Sequence, residues 1–543
     1  MASGIAALIS LTWFIRFGLL AARILQIEEY EIRRLFAWSW RRLRWDRDTA
    51  LACLLCLTGG IANLVLGRTN EGWLTAATWA LGAVWLHVSW REPAAKKPLV
   101  FTSRMKRLLA TAGLVMVIIT GAVVVLLVAL PAPLGSLVTA ATYGVGPALD
   151  ALALAAALGL MEPLELLFRR HYRRRAEATI RTFAPTTIAV AGSYGKTSTK
   201  HILAALLNPQ LTVLATPKSY NTLMGVTRTI NDQLRREHRI FMAEMDAYGP
   251  GEIAGICQVC PPQISIVTAV GPEHLERFGS LQAIEDALFE VIEALPTDGV
   301  SIIYAGDETS RGLAKRAAGL RRTITYAFDD QWPRADVLIS ELHLNGQGSS
   351  FVWRNRLTGA QQALTCRLLG RHNALNVAAA LAAVECLGLP LEPSFGAVAN
   401  LEPTEHRLQP MPGGAGVTVI DDSYNANPVG VHNALEVLNE MDSSPRILVT
   451  PGLVELGPQQ AEENRRFGQH AAKVCDYVIV VGAWNQPDLA AGLHEGGMAE
   501  ERVHMVDSLG QATQTLSRLT QPNAVVLFCN DLPDPYLETP IAS

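Results

Sequence analysis

Apolar positions fall into two regimes along the chain. Over residues 1–161 they form long runs with few interruptions, and beyond residue 181 short apolar runs alternate with amphipathic segments. Five long runs, at about 4–26, 49–67, 72–90, 108–131 and 136–161, each approach the roughly 20 residues that carry a helix across a bilayer. Leu108–Leu130 contains no charged residue, whereas the first run holds Arg16 and Arg23 and the fifth holds Asp150. The first run is too long for a signal peptide, and no small-residue cleavage site follows it. The expectation is an all-α transmembrane domain of about five helices over residues 1–175.

In the second regime, Thr187–Ala191 is a short apolar run followed by glycines and a helix start, and Ile240–Glu244 is an apolar run ending on a carboxylate. Val449, Val478–Val481 and Ala524–Phe528 read as further strands. Helices alternating with buried strands predict doubly wound α/β sheets. We expect a P-loop central domain over residues 176–400 and a Rossmann-like C-terminal domain over 401–543. The latter lacks G-x-G-x-x-G, so no dinucleotide is expected in it.

Composition and charge sharpen this division. The 543 residues are 49% hydrophobic and 18% charged, with a mean hydropathy of +0.20, which excludes disorder as the main state. Residues 1–181 carry 21 Lys/Arg against 11 Asp/Glu, and residues 182–543 carry 25 against 39. The acidic second part argues against nucleic acid as a partner. In the first part the basic residues concentrate in connectors at 31–47, 91–107 and 169–175. The positive-inside rule assigns all three to the cytoplasm, which places the N-terminus outside and the acidic domains inside a multi-pass plasma-membrane protein. Trp38, Trp40 and Trp45 among arginines suit an interfacial helix on anionic lipid, or equally an amphipathic connector packed on protein. Cys257 and Cys260 form a C-x-x-C, but no second pair stands at zinc-site spacing, so all eight cysteines read as ordinary thiols.

The candidate chemistry begins at Thr187–Lys200. Gly192 and Gly195 permit close backbone approach to a phosphate, with Ser193 and Ser198 in the same run. Lys196 can reach β- and γ-phosphates, and the Thr197 hydroxyl can ligate Mg2+. Val190 stands where the full G-x-x-x-x-G-K form has its first glycine. This segment alone indicates an ATP-binding protein.

The motifs downstream are more specific: Asn221–Asn231, Ile240–Ile253, Ile264–Ser280 with His274, Gly370–Asn376, Arg407, and Asp421-Asp-Ser-Tyr-Asn-Ala-Asn-Pro428. This ordered set resembles the Mur ligase family, ATP-dependent enzymes that form amide bonds in peptidoglycan precursors. The resemblance covers about residues 183–480, and the Asp421–Pro428 run is that of the branch that adds D-alanyl-D-alanine. It implies a phosphate loop at Gly192, Gly195, Lys196 and Thr197, and magnesium ligation by Glu244 and His274. It further implies an adenine contact at Asn376, a γ-phosphate arginine at Arg407, and ATP contacts at Asp422 and Tyr424. The implied partners are a peptidoglycan precursor and an amino acid or dipeptide.

Three departures stand out. Aligning Phe278–Ser280 and Glu290 puts Leu288 where the family usually has a carbamylated lysine. Pro451–Gly457 lacks an aspartate found in the D-alanyl-D-alanine branch. The domain that grips UDP in that branch is replaced by apolar helices, which suits a polyprenyl-linked substrate lying in the membrane lipid. Two other readings share these features. A transporter component lacks support from any ABC signature, and an ATP-binding membrane scaffold without ligase activity is favoured by Leu288 but opposed by intact Lys196, Glu244, His274 and Arg407.

Overall fold

The computed structural model describes residues 2–27, 30–42, scattered positions within 51–88, 98–129, 132–217, 220–272, 275–345, 348–424, 426–441, 443–454 and 456–531. The chain divides into two units, Met1–Phe168 and Arg169–Ser543.

Apolar runs without turn residues become long helices in the first unit. Helices span Ala2–Ile27, Ile32–Arg42, Ser103–Ala129 and Ala132–Phe183, the last continuing into the second unit. Phe17, Ala21 and Leu25 pack with Leu35, Met105, Leu108, Leu154 and Leu158. Arg107 is paired with Glu165 at 2.5 Å, and Gln26 exchanges two hydrogen bonds with the backbone of Val100. By contrast, Leu114, Val117, Ile118 and Val125 are 62–70% exposed. Among the described residues, two segments, Ser103–Ala122 and Leu149–Phe183, are long and apolar enough to cross a membrane. The runs expected at 49–67 and 72–90 lie largely outside the described residues. Trp38 packs its ring on Phe17, at 5.6 Å between centroids, so this tryptophan is engaged with protein. The basic segment Arg169–Arg175, read from the sequence as a connector, is helical.

The second unit holds two sheets. In the first, β1 (Thr186–Ala191), β2 (Val213–Ala215), β3 (Ile240–Glu244), β4 (Ile264–Val267), β5 (Val300–Tyr304), β6 (Arg322–Phe328) and β7 (Val337–Asn345) run parallel. β8 (Gly348–Asn355) and β9 (Gln361–Cys366) add an antiparallel edge, giving the order β2-β3-β1-β4-β5-β6-β7-β8-β9. The central strands are continuous apolar runs because both faces are covered. Along β1, Ile188 and Val190 face one core, with the helices Lys196–Leu207 and Arg371–Cys386. Ala189 and Ala191 face the other, with helices Leu223–Gln233, Glu252–Val259 and Leu281–Glu293. Ala176 and Ile180, at the end of the long helix, join that second core.

The second sheet contains β10 (Gln409–Pro412), β11 (Thr418–Asp422), β12 (Arg446–Thr450), β13 (Tyr477–Val481), β14 (Val503–Val506) and β15 (Val525–Cys529), ordered β10-β11-β15-β12-β13-β14. All pairs but β10–β11 are parallel, as the alternation of strands and helices predicts.

Candidate active site

From β1 the chain passes to the edge strand β2, and from β3 it crosses to β4 on the other side of β1. That reversal opens a crevice at the carboxyl ends of β1, β3 and β4, where α/β sheets bind ligands. The turn after β1 fills it. Gly192 has φ 133° and Gly195 φ 83°, both left-handed values open to glycine. A Cβ on Gly192 would collide with the Thr268 hydroxyl, and one on Gly195 would come within 2.9 Å of Asn376 Oδ1. Gly195 at the N-terminus of the helix Lys196–Leu207 brings no side-chain cap, and the positive end of the helix dipole faces the crevice, which favours an anion there. Ser193 holds the turn in place by exchanging two 2.9 Å hydrogen bonds with the backbone of Gly271. Ser198 is buried on the helix behind it.

Lys196 lies folded into this turn. Its ammonium donates to Ser193 O at 3.2 Å and stands 3.3 Å from Asp246 Oδ1. Asp246 in turn accepts from Asn221 Nδ2 at 3.2 Å. Register sets Glu244 beside Val190, which directs it into the same crevice. Thr197 Oγ1 donates to Glu244 Oε1 at 2.9 Å, and Lys200 Nζ to Glu244 Oε2 at 2.7 Å. The Lys200–Glu244 pair is wholly buried, at 0% and 1% exposure. Burial lowers the Lys200 ammonium pKa, and Glu244 opposes that shift.

Asn376 is buried under the turn. Its Oδ1 accepts from Thr199 Oγ1 at 3.0 Å and its Nδ2 donates to Asn373 at 3.1 Å. Leu288 is buried and, with Gly192, Ser193, Asp246, Phe278 and Ile284, lines a small cavity beside the phosphate-loop turn. Two residues on, Glu290 caps the helix Glu252–Val259 by accepting from Gly251 N at 2.6 Å and Ala254 N at 2.9 Å. His274 lies outside the described residues.

The second sheet contributes another cluster. Arg407 sits between His406 and Leu408, which hold the rare positive φ values of 61° and 42°. Its guanidinium lies 4.7 Å from the Tyr424 ring centroid. Its charge also reaches groups of the first sheet's helices. Burial, then neighbouring Lys200, and finally Arg407 lower the pKa of His201. Burial and then Arg407 push His372 down to about 4. Asp422 accepts from Leu408 N at 3.1 Å, and burial pushes its carboxyl up to about 7 against the opposing pull of that bond and of Arg407. Asp421 anchors the loop by accepting from His406 Nδ1 at 2.7 Å and Ser423 Oγ at 2.6 Å.

The structure thus gathers Gly192, Ser193, Gly195, Lys196, Thr197 and Glu244 in one crevice, with Arg407, Asp422 and Tyr424 grouped on the second sheet. Sequence reasoning assigned no role to Lys200 or Asp246, the partners of Glu244 and Lys196. Lys200 left a signal: it lies one helical turn from Lys196, and therefore on the same face. Cys257 and Cys260 are buried thiols with raised pKa values, in keeping with the sequence reading.

Comparison with known proteins agrees with this arrangement. Residues 190–384 match the Mur ligase middle domain, and residues 406–530 match the family described as Mur ligase, glutamate ligase domain. The UDP-N-acetylmuramoyl-tripeptide–D-alanyl-D-alanine ligase of Mycobacterium tuberculosis (strain CDC 1551 / Oshkosh) is 32% identical over 328 residues, covering 58% of this chain and 61% of its own length. The protein of the same name from Mycobacterium leprae (strain TN) is 30% identical over 372 residues, covering 63% and 70%. The crystal structure of MurF ligase from Thermotoga maritima in complex with ADP shares the fold, with a TM-score of 0.59 at 24% identity over 67% of this chain and 80% of that one. This chain spans 61% of the length of the Mycobacterium tuberculosis relative. With both domains matched in order around the phosphate-loop crevice, the chain belongs to the Mur ligase family.

Proposed function

We propose that this protein is a membrane-anchored, ATP-dependent amide ligase that joins D-alanyl-D-alanine, or a related amino acid or dipeptide, to a muramoyl-peptide precursor of peptidoglycan. The observation that carries the reading is the crevice in which Lys196, Thr197 and Glu244 converge at the uncapped N-terminus of the helix Lys196–Leu207. The names of the Mycobacterium relatives point to the same substrates.

In this reading the turn Gly192–Lys196 binds the ATP phosphates through backbone N–H groups, and Lys196 leaves Asp246 to meet the transferring phosphoryl group. Arg407 approaches the γ-phosphate from the second sheet, while Asp422, Tyr424 and Asn376 bound the nucleotide. A substrate carboxylate oxygen attacks the γ-phosphorus and ADP leaves. The amine of the second substrate then attacks the acyl carbon, phosphate leaves and a proton is lost, forming the amide. The donors suit Mg2+, since hydroxyl and carboxylate oxygens are the hard ligands it prefers. Thr197, Glu244 and His274 would hold the ion, whose charge would offset that of the phosphates. Leu288 offers no ligand for a second ion.

The long apolar helices and their exposed Leu114, Val117 and Ile118 support a multi-pass membrane anchor with the ligase domains in the cytoplasm. A polyprenyl-linked precursor in the same bilayer would then present its peptide near the catalytic domains, and Arg169–Arg175 suit its pyrophosphate. The test uses purified full-length protein with ATP, D-alanyl-D-alanine, and either a UDP-linked or a lipid-linked muramoyl tripeptide. Phosphate release with amide formation is expected, fastest on the lipid-linked form. Lys196→Ala should lower that rate by at least about 100-fold with unchanged circular dichroism. Wild-type turnover in this variant would remove the role given to the loop.

A further inference from the structure

The second sheet bears a side-chain cluster remote in kind from phosphate chemistry. His432 and Glu436 stand one turn apart on the helix Pro428–Glu440, hence on one face. His470 comes from the neighbouring helix Gln460–Val474. The two imidazole rings lie 4.7 Å apart between centroids, with Nδ1 facing Nδ1 at 3.1 Å. On the other edge of its ring, His470 Nε2 is 3.2 Å from Glu436 Oε1. One donor atom from each of the three residues lies within 4.8 Å of the others. The cleft above them, about 320 Å3, is open and is lined in part by Leu435, Phe467 and Lys473.

We propose that His432 and His470 bind a divalent transition-metal ion of the Zn2+ type through their facing Nδ1 atoms, with Glu436 orienting the His470 ring. Two imidazole nitrogens on one tetrahedral Zn2+, each at about 2.0–2.1 Å, stand roughly 3.3 Å apart, close to the spacing seen here. Glu436 explains which nitrogen is free. With Nε2–H of His470 donating to the Glu436 carboxylate, Nδ1 of that ring turns its lone pair toward His432, the carboxylate–histidine–metal arrangement. The scaffold is rigid, because Val431, Leu435, Phe467 and Ala471 pack these helices together beneath the cluster. Of the two cations near the cleft, Arg466 is already paired with Glu462 and Glu463 at 3.1 and 2.9 Å, which leaves Lys473 as the opposing charge. The donor set is borderline in softness, so Zn2+, Ni2+ or Cu2+ is favoured over Mg2+. A bound ion would clamp the helix that directly follows Asp421–Asn427 to its neighbour.

The test is a titration of tag-free, full-length protein with ZnCl2 in excess Mg2+, read by calorimetry and by metal content after dialysis. One equivalent of Zn2+ is expected to bind and to raise the melting temperature. His432→Gln and His470→Gln, which keep side-chain bulk, should each remove that equivalent, and Glu436→Gln should weaken it by about 10–100-fold. Retention of the equivalent in the double histidine variant would overturn the proposal, as would failure of the wild type to bind Zn2+. Inorganic phosphate is titrated in parallel. Phosphate binding that depends on the histidines, without Zn2+ binding, would make the cleft an anion site and equally overturn the assignment.

Discussion

Lys200 illustrates how much one side chain decides in the crevice. A buried ammonium is costly unless a carboxylate faces it, and Glu244 does so while also accepting from Thr197. Removing one partner leaves the other charge buried and should cost about 3–5 kcal/mol. Lys200→Met and Glu244→Gln should therefore each lower the melting temperature. The double variant should melt well above the sum of the two decrements, and strict additivity would mean that the ions do not stabilise one another. His406 makes a second prediction, on pH. Its hydrogen bond to Asp421 raises its pKa above the ordinary 6.5. The stabilisation is thus fully present below pH 6.5 and is lost as pH rises through the raised value. The ring is half-exposed, so the contribution is at most about 1 kcal/mol. The melting-temperature gap between wild type and His406→Ala should be larger at pH 6 than at pH 8.5, and an equal gap at both would exclude a charged pair.

At the scale of elements, the turn between β1 and the helix Lys196–Leu207 depends on what the parallel neighbour β4 places against it. Thr268, one residue beyond β4, donates to the carbonyls of both Ala191 and Tyr194. Gly192→Ala would drive a methyl group into that hydroxyl at a φ that alanine resists, a strain of about 1–3 kcal/mol. ATP affinity should fall by about tenfold or more, measured by calorimetry on folded protein. Affinity equal to wild type would show that the turn rearranges freely. The segment after β12 is held in a comparable way. Asn464 donates to Leu453 O at 3.0 Å and accepts from Leu453 N at 2.8 Å, and Asn485 and Asn530 donate to Pro451 O and Gly452 O. The aspartate missing from this segment therefore leaves its backbone still fastened by three asparagines.

At the scale of the whole molecule, the question is where the ligase part begins. A cut near Thr182, at the start of the acidic part of the sequence, would sever the end of the long helix. Yet Ala176 and Ile180 belong to the core of the first sheet, Arg173 donates to Gln258 at 2.5 Å, and Asn231 donates to Tyr172 O at 3.0 Å. Losing the Ile180 burial alone removes about 1.5–3 kcal/mol. Protein beginning at Arg169 should keep its ATP-dependent turnover and melt several degrees above protein beginning at Thr182, as scanning calorimetry would show. Identical melting would mean that residues 169–181 add nothing to the core.

The sequence by itself determined features written in adjacent residues. An apolar strand, two glycines and Lys-Thr are contiguous, so the phosphate-loop turn was legible, as were the apolar helices Ala2–Ile27, Ser103–Ala129 and the first part of Ala132–Phe183, and the split in charge. The ordered motifs carried the family. Only the tertiary structure decided who meets whom. Lys200 and Glu244 are 44 positions apart, Lys196 and Asp246 are separated by a strand crossing, and Leu288 comes to the loop from a helix three strands further along the chain. His470 reaches His432 across 38 positions. Such pairings arise from strand order and helix packing, which local periodicity does not encode.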